Sequence, residues 1–397
     1  SVGTSTTMTT SPTSTTSTES SGSADTGSTG SASSESGSES SSSGGTGVCG
    51  DGSVDAGEVC FVPGTDVLVG MAPRGVVLGD INGDGDLDLV AANGGSDDVS
   101  VYPGDGSGGV GLETVYPVGN NPAAIALAEV TGDTDIDIIV VNETSGNVGL
   151  LAGTGGGAFA AQTTFDVGNL PRGFTVADFD EDTNLDVAVV NNGTDDVSLL
   201  LGNGTGFDMQ STFAVGDAPV AVTAGDVNGD ANLDLASVVG GDVVLNGGNG
   251  SGMFGGPSSY VVGGTGSALV LADLNGDGDL DVAAVTESAD QVTIGLGNGI
   301  GGFGAGVPYV VGDQPGTIVA ADVDADDDLD LLVANVADAT VSVLVGNGAG
   351  AFDDGGTLSV GNQPNAIAVA DFDGDGAPDV LVASGGDDVI SVVLSDP

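Results

Sequence analysis

The sequence predicts an all-β fold made of seven similar units, and three observations support that prediction. First, one nine-residue, Asp-rich segment recurs along the chain, and its seven copies begin 47 to 49 residues apart. Second, the intervals hold short runs of apolar and β-branched residues separated by Gly, Asn and Asp. Third, these runs lack the 3.6-residue apolar period of a helix. Four strands per unit, repeated seven times, describe a seven-bladed β-propeller.

The strands of one unit follow a fixed order. A unit opens on Val-Gly-x-x-Pro, as at 118–122, and a first apolar strand such as 124–130 follows. The Asp-rich segment comes next, then a second strand such as 185–190 and, after a polar turn, a third such as 196–204. The fourth strand carries an aromatic residue, as at 211–216. Short runs of this kind, bounded by turn residues, are typical of strands.

The two ends of the repeat region predict how the ring closes. Residues 388–397 match the third strand of the seventh unit, and no fourth strand follows them. Residues 65–70 match the fourth strands of other units, such as 163–168. We therefore expect residues 62–70 to complete the last blade, so that the first and last blades leave no open sheet edge. The predicted propeller spans residues 62–397.

Two segments precede the propeller. Residues 1–47 contain 30 Ser or Thr, and such a low-complexity segment has too little apolar surface to fold by itself. It fits either a flexible tether or an O-glycosylated stalk. In residues 48–61, Cys49 and Cys60 are predicted to form a local disulfide, which implies an oxidising compartment. A chain that begins at Ser1 without Met fits a processed, secreted protein.

The composition excludes several classes of partner. The chain has 58 acidic residues, only two basic ones (Arg74 and Arg172) and a net charge of −56, so it lacks the basic surface that nucleic acids need. The same charge disfavours anionic membranes. No apolar run reaches 18 residues, so we expect no membrane span. The absence of His removes the commonest general base, and we expect no enzyme activity.

The repeated segment has the ligand spacing of a calcium loop. Ca²⁺ takes six to eight oxygen ligands. Side chains at loop positions 1, 3, 5 and 9 and the backbone carbonyl at position 7 supply most of such a shell. Position 7 supports the assignment, because Ala377 can offer only its carbonyl there. The sequence therefore predicts up to seven bound Ca²⁺, with the second loop weakest because it begins with Glu129 and has Thr131 at position 3.

The predicted ligands are taken in order of loop position. Position 1 is Asp80, Glu129, Asp178, Asp226, Asp273, Asp322 and Asp371, and position 3 is Asn82, Thr131, Asp180, Asn228, Asn275, Asp324 and Asp373. Position 5 is Asp84, Asp133, Asp182, Asp230, Asp277, Asp326 and Asp375, and position 7 is Asp86, Asp135, Asn184, Asn232, Asp279, Asp328 and Ala377. Position 9 is Asp88, Asp137, Asp186, Asp234, Asp281, Asp330 and Asp379.

The pattern resembles the FG-GAP/VCBS repeat family, the calcium-loop propellers of integrin α-subunits and many bacterial surface proteins. Phe254-Gly255 and Phe303-Gly304 match the "FG" of the family, and the Gly-x-x-Pro openings stand near its "GAP". The resemblance covers about 62–397. It implies a calcium-binding propeller, but its members include adhesion heads, lectin-like binders and appendages of polysaccharide-degrading enzymes.

We therefore expect a secreted or cell-surface protein with a structural or adhesive role, including that of a subunit in an extracellular assembly such as a filament. Its expected partners are other copies of itself, extracellular polymers and glycans. The alternative is a carbohydrate-binding, lectin-like module, and a polysaccharide-active enzyme comes third. The aromatic residues that recur in the units are expected to pack between blades. Tyr102 breaks that pattern and is the candidate stacking residue for a sugar. N-glycosylation sequons occur at Asn142, Asn192, Asn203 and Asn249.

Overall fold

A computed structural model describes residues 61–395 of the chain. The predicted stalk, 1–47, and the Cys49–Cys60 pair lie outside the described residues. The described part contains 29 strands and one short 3-10 helix, Glu287–Ala289. None of its helices is long and apolar enough to cross a membrane.

The strands fall into four classes by their place in the blade. The inner strands, seven residues each, are β3 (Pro73–Gly79), β7 (Pro122–Ala128), β11 (Pro171–Ala177), β15 (Pro219–Gly225), β19 (Gly266–Ala272), β23 (Pro315–Ala321) and β27 (Pro364–Ala370). The second strands, six residues each, are β4 (Asp88–Asn93), β8 (Asp137–Asn142), β12 (Asp186–Asn191), β16 (Asp234–Val239), β20 (Asp281–Thr286), β24 (Asp330–Asn335) and β28 (Asp379–Ser384).

The third and outer strands complete each sheet. The third strands are β5 (Asp98–Tyr102), β9 (Asn147–Leu151), β13 (Asp196–Leu200), β17 (Asp242–Asn246), β21 (Gln291–Gly295), β25 (Thr340–Gly346) and β29 (Val389–Ser395). The outer strands are β6 (Thr114–Pro117), β10 (Thr163–Asp166), β14 (Ser211–Ala214), β18 (Ser258–Val261), β22 (Val307–Val310) and β26 (Phe352–Ser359), with β1 (Phe61–Pro63) and β2 (Val67–Leu68) in the last blade.

These strands form seven antiparallel sheets, each ordered from inner to outer strand, and the inner strands contact one another around a complete ring. The fold is the predicted seven-bladed β-propeller. Both β1 and β2 pair with β29, with Phe61 opposite Ser395 and Val67 opposite Ile390. The start of the described chain therefore lies on the outer edge of the last blade, where the sequence placed residues 62–70.

The second strands show why the sheets pack face to face. Their residues are buried almost throughout, because a neighbouring blade covers each face of the sheet. Seven apolar clusters follow, one at each interface between adjacent blades. The cluster between the last and first blades includes Phe372, Leu89 and Val67, so the seam of the ring is packed like the other interfaces.

Each inner strand begins with a β-bulge, where its register against the second strand shifts after the first residue. A bulge redirects the side chain that it contains. The bulged positions are occupied by Arg74, Ala123, Arg172, Val220, Ser267, Gly316 and Asn365 (with Gly173 also in the bulge of β11). Six of these seven residues line the central cavity of the ring.

Candidate metal centres

Every Asp-rich loop joins an inner strand to the second strand of the same blade, and its ninth residue begins the second strand. That Asp is at most 3 % exposed in all seven loops. One carboxylate oxygen accepts the backbone N–H of loop position 2 at 2.7–3.0 Å. The other accepts a backbone N–H from the last residue of the third strand or from the second residue beyond it, at 2.6–2.8 Å. The position-9 Asp thus fixes the base of each loop.

The backbone conformation of the loop is the same whether or not glycine is present. Positions 4 and 6 have positive φ in all seven loops, including Glu181, Thr183, Ala325 and Asp327, where the sequence has no glycine. The carboxylate at position 1 accepts backbone N–H groups from the turn, as Asp80 does from Gly83, Asp84 and Gly85. Non-glycine residues are strained at positive φ. The third and sixth loops therefore keep the tight turn at a cost in backbone energy.

Position 7 joins the loop through its backbone, and at Asn184 and Asn232 the side chain also donates to the position-5 carboxylate. Its backbone N–H donates to the position-5 carboxylate in all seven loops, at 2.8–3.0 Å. Its side chain lies against a glycine in the turn after the third strand, as Asp86 does against Gly106 and Asp328 against Gly348. This arrangement is compatible with a carbonyl ligand at position 7, and it allows Ala377 there.

Position 3 divides the loops into two groups. In four of them an Asn or Thr side chain donates to the position-9 carboxylate: Asn82, Thr131, Asn228 and Asn275. In the other three the residue is Asp, which as a carboxylate has no proton to donate. Those loops contain the acidic clusters of the described chain whose oxygens lie within 4.8 Å of one another: Asp178, Asp180 and Asp186; Asp322, Asp324 and Asp330; Asp371, Asp373 and Asp379.

Among these clusters, Asp324 is the carboxylate that most clearly lacks a partner. It is 4 % exposed, and neither carboxylate oxygen has a hydrogen-bond partner. Burial, and then the neighbouring carboxylates of Asp330 and Asp326, raise the pKa of Asp324 to about 6. A buried charge without a partner is unfavourable by several kcal/mol unless a counter-charge neutralises it. Carboxylate oxygens grouped in this way could hold a hard divalent cation.

The other buried carboxylates show the same electrostatics. Burial raises the pKa of Asp186 and of Asp330 to about 6, and it also raises the pKa of Asp88, Asp234 and Asp281. The backbone N–H donors on each of these carboxylates act in the opposite direction, but burial has the larger effect. These five loops therefore each contain a carboxylate-rich pocket that favours a proton or a cation.

The loops also join neighbouring blades. Position 2 is buried in every loop, and in four loops its carbonyl accepts an N–H from the third-to-outer turn of the next blade. Gly157 donates to Ile81, and Gly350 donates to Leu274, at 3.1 and 3.0 Å. A cation that ordered a loop would thereby also fix an interface between blades.

Two other sequence predictions have different outcomes. The repeating aromatic residues pack between blades, as in the edge-to-face pairs Tyr116–Phe159 and Tyr309–Phe352, which confirms the packing role. Tyr102 is only 7 % exposed, and its hydroxyl donates to the Leu68 carbonyl. The expectation that Tyr102 stacks against a sugar is therefore wrong, because the residue belongs to the seam between the first and last blades. Asn142 is fully buried, so it cannot accept a glycan in the folded protein.

One charged cluster was not predicted from the sequence. Arg74 and Arg172 both form ion pairs with Glu143 at the channel end opposite the Asp-rich loops. A sequence feature could have predicted this cluster: β3 and β11 both begin with Pro-Arg-Gly, which places the two arginines at equivalent positions in blades 1 and 3.

The FG-GAP-like repeat model matches five segments of the chain in two overlapping groups: 80–140, 129–189 and 178–237, and then 273–333 and 322–382. Each match begins at position 1 of an Asp-rich loop, and together they cover more than half of the sequence. The chain belongs to the FG-GAP-like repeat family. Among curated proteins, none matches it significantly.

Several solved structures share the propeller fold of this FG-GAP-like protein. BBS1N, solved in complex with ARL6DN, is 13 % identical, with a TM-score of 0.61 over 85 % of this chain and 97 % of that one. Virginiamycin B lyase from Staphylococcus aureus is 12 % identical, with a TM-score of 0.59 over 83 % and 98 %. A 6-phosphogluconolactonase, so named provisionally, from Bacteroides fragilis is 17 % identical, with a TM-score of 0.59 over 74 % and 86 %. At these identities the likeness shows the fold alone.

Proposed function

We propose that this chain is a calcium-stabilised propeller of the cell exterior that works by binding and structure rather than by catalysis. The observation that carries the calcium proposal is Asp324, a buried carboxylate without a hydrogen-bond donor beside two further carboxylates. A bound cation would supply the missing partner. The clusters in the third and seventh loops, around Asp180 and Asp373, support the same interpretation.

The donor set fits Ca²⁺ better than other common metals. Within residues 61–395 each loop offers carboxylate, amide or hydroxyl oxygens and backbone carbonyls, and the whole chain has no His. Zinc favours Cys and His ligands, whereas Mg²⁺ requires near-ideal octahedral geometry and keeps several waters. In the sixth loop Asp322, Asp324, Asp326 and Asp330 would hold the ion with the carbonyl of Asp328. The ion would neutralise carboxylates that otherwise repel one another.

The test is the melting temperature of the purified chain in about 2 mM calcium, in the same concentration of magnesium and in EDTA. At that concentration calcium is roughly 2 to 20 times the Kd of extracellular calcium modules and contributes about 0.6–1.8 kcal/mol per site, so seven sites together predict a large difference between calcium and EDTA. Magnesium should restore little of it. Equal melting temperatures in calcium and EDTA would disprove the calcium proposal.

The proposed biological role is structural or adhesive, at a cell surface or in an extracellular assembly. The high acidity suits an exterior in which salt screens repulsion, and extracellular calcium modules bind with millimolar to submillimolar affinity. The Ser/Thr-rich residues 1–47 would carry the propeller away from its attachment point. Its proposed partners are further copies of the chain or extracellular polymers.

Two experiments address that role. Electron microscopy of the full chain and of a chain that starts at residue 48 would reveal filaments that depend on the first segment. Single propellers in both samples would exclude self-assembly through that segment. A glycan array tests the carbohydrate-binding alternative, which no longer has Tyr102 as a stacking residue.

A further inference from the structure

The only two basic residues of the chain converge on one carboxylate. Arg74 Nη1 lies 2.7 Å from Glu143 Oε2, and Arg172 Nε lies 3.3 Å from Glu143 Oε1. Arg74 Nη1 also donates to Asn121 Oδ1 at 3.2 Å. Glu143 is only 8 % exposed, whereas the arginine side chains keep 38 % and 46 % of their surface accessible. In a chain of net charge −56, all the positive charge therefore lies in one place.

That place is one end of the central channel. Arg74 and Arg172 occupy the bulges that begin β3 and β11, and Glu143 follows β8 of the blade between them. The equivalent bulge residues of the other five blades are uncharged. The Asp-rich loops follow the opposite ends of the inner strands, roughly 20 Å away at about 3.3 Å per residue. The arginine cluster is thus separate from the metal centres.

The channel beside the arginines is open enough for a small molecule. A cavity of about 600 Å³ is lined by Arg74, Arg172, Glu143 and Asn365 among others. Small residues such as Gly316 face the arginines across the ring and leave the space free. Small-molecule sites usually have volumes of about 300–1,000 Å³, so this cavity is of the right size.

Internal neutralisation of Glu143 does not require both arginines. The contact with Arg74 is short and partly buried, and it already pairs the carboxylate. Arg172 adds one longer contact through Nε, and within residues 61–395 neither of its Nη atoms has a hydrogen-bond partner. Because the Arg172 side chain is half exposed and its contact is long, this second ion pair adds little to stability. Two arginines and one glutamate leave one net positive charge, and within residues 61–395 the four Nη–H donors of Arg172 remain unused.

We propose that Arg172 and Arg74 bind the carboxylate of a small organic acid at this end of the channel. The planar guanidinium of Arg172 would donate its free Nη hydrogens to the ligand carboxylate, a geometry that arginine suits better than lysine. Asn365 and the backbone groups of the channel lining would contact the rest of the molecule. A monovalent carboxylate matches the single net charge of the cluster.

The surrounding charge restricts the ligand to a small anion. The acidic surface repels large polyanions, whereas a small carboxylate reaches the cluster because exposed charges are screened beyond about 8 Å at physiological salt. A phosphate dianion would leave the cluster with net negative charge. We therefore expect a monocarboxylate to bind more tightly than inorganic phosphate.

The test uses the full chain in calcium, with D-glucuronate as the probe and D-glucose as the neutral control, measured by calorimetry or ligand-observed NMR. Arg172→Gln should weaken glucuronate binding at least tenfold. Glu143→Gln should strengthen it, because the internal carboxylate no longer competes for the arginines. Gln314→Glu is the matched control: it changes the charge by the same amount as Arg172→Gln at an exposed residue of blade 6, and it should leave binding unchanged.

The opposite signs of the two variants distinguish a binding site from a structural ion pair, since a structural role predicts no gain of binding in Glu143→Gln. Comparison of D-galacturonate with short oligogalacturonates tells whether the acid is recognised as a free molecule or as part of a chain. No glucuronate binding below about 10 mM, equal binding of glucose, or unchanged binding in Arg172→Gln would overturn the proposal. The binding test is run in calcium throughout, and the calcium proposal is tested separately by melting in calcium and in EDTA. Failure of one proposal can therefore be distinguished from failure of the other.

Discussion

Position 3 of the loop decides how many carboxylates face one another, and therefore how much a loop would gain from a bound cation. Where it is Asn, as at Asn82, its amide donates a hydrogen bond to the position-9 carboxylate and partly replaces a counter-charge. Where it is Asp, as at Asp324, three carboxylates face one another. The third, sixth and seventh loops should therefore gain most from calcium. From the sequence, only the second loop was predicted to bind more weakly, because of Glu129 and Thr131, and this division was not predicted.

Asp324→Asn is the sharpest test of the role of position 3. In EDTA at pH 7 the variant should be more stable than the parent by roughly 1–3 kcal/mol, because it removes a buried, unpartnered charge and adds a donor for Asp330. In calcium it should lose part of the metal-dependent stabilisation. Urea unfolding in both conditions measures the two effects. Asp327→Asn is the control, since it removes the same charge from an exposed position of the same loop. Destabilisation of Asp324→Asn in EDTA would contradict the interpretation.

The raised pKa values predict an inverted pH dependence for the metal-free protein. Asp186, Asp324 and Asp330 have folded pKa values of about 6, against about 3.9 when unfolded. The folded state then binds more protons than the unfolded state between about pH 4 and 6. This stabilisation is complete below the unfolded pKa and is lost as the pH rises through the folded pKa.

In EDTA, the free energy of unfolding should therefore rise when the pH is lowered from 7 to 5. In calcium it should fall over the same interval, because protons compete with the metal. Urea unfolding at pH 7, 6 and 5 checks both trends. If the metal-free protein became less stable as the pH was lowered from 7 to 5, the raised pKa values of the buried carboxylates would not control its stability.

At the scale of secondary-structure elements, two features hold neighbouring sheets together. The loop after each inner strand contributes a buried residue at position 2, and in four loops this residue also accepts a hydrogen bond from the next blade. At the seam, β1 and β2 both pair with β29, so two short strands take the place of one outer strand. The ring therefore depends on the segment that joins its first and last blades.

A chain that starts at Met71 should show what that segment contributes. Loss of Phe61 to Leu68 removes β1 and β2, uncovers the edge of β29 and exposes the hydroxyl of Tyr102. We expect a lower melting temperature and self-association, because an uncovered strand edge can pair with another chain. A chain that starts at Phe61 is the control, since it keeps both strands. Light scattering and thermal melts compare the two, and identical, monomeric behaviour would refute the closure role.

At the scale of the whole molecule, the net charge of −56 opposes the compact state, and much of it lies in the loops. Seven bound Ca²⁺ would reduce the net negative charge by about a quarter. Calcium and salt should therefore act on the same repulsion. Calcium would act at particular carboxylates, whereas salt screens all exposed charges.

Stability should consequently depend more on salt without calcium than with it. In EDTA, an increase in NaCl from about 10 to 150 mM should raise the melting temperature by several degrees, because the Debye length falls from about 30 to 8 Å. In saturating calcium the same increase should have a smaller effect. Scanning calorimetry gives both shifts. An equal response to salt in calcium and in EDTA would show that calcium does not relieve repulsion among the loop carboxylates.

The sequence by itself determined the repeat number, the strand order within a blade and the loop positions. Those features follow from local period and turn chemistry, as in the seven copies that each end in Asp before a buried strand. It also indicated that residues 65–70 belong beside the last blade, because they match other outer strands.

Three-dimensional packing decided the rest. It brought Glu143 between Arg74 and Arg172 from three different blades, and it buried Tyr102 at the seam. It also left Asp324 without a donor. Such contacts join residues far apart in sequence, and their energies depend on burial and neighbouring charge, which no local pattern records.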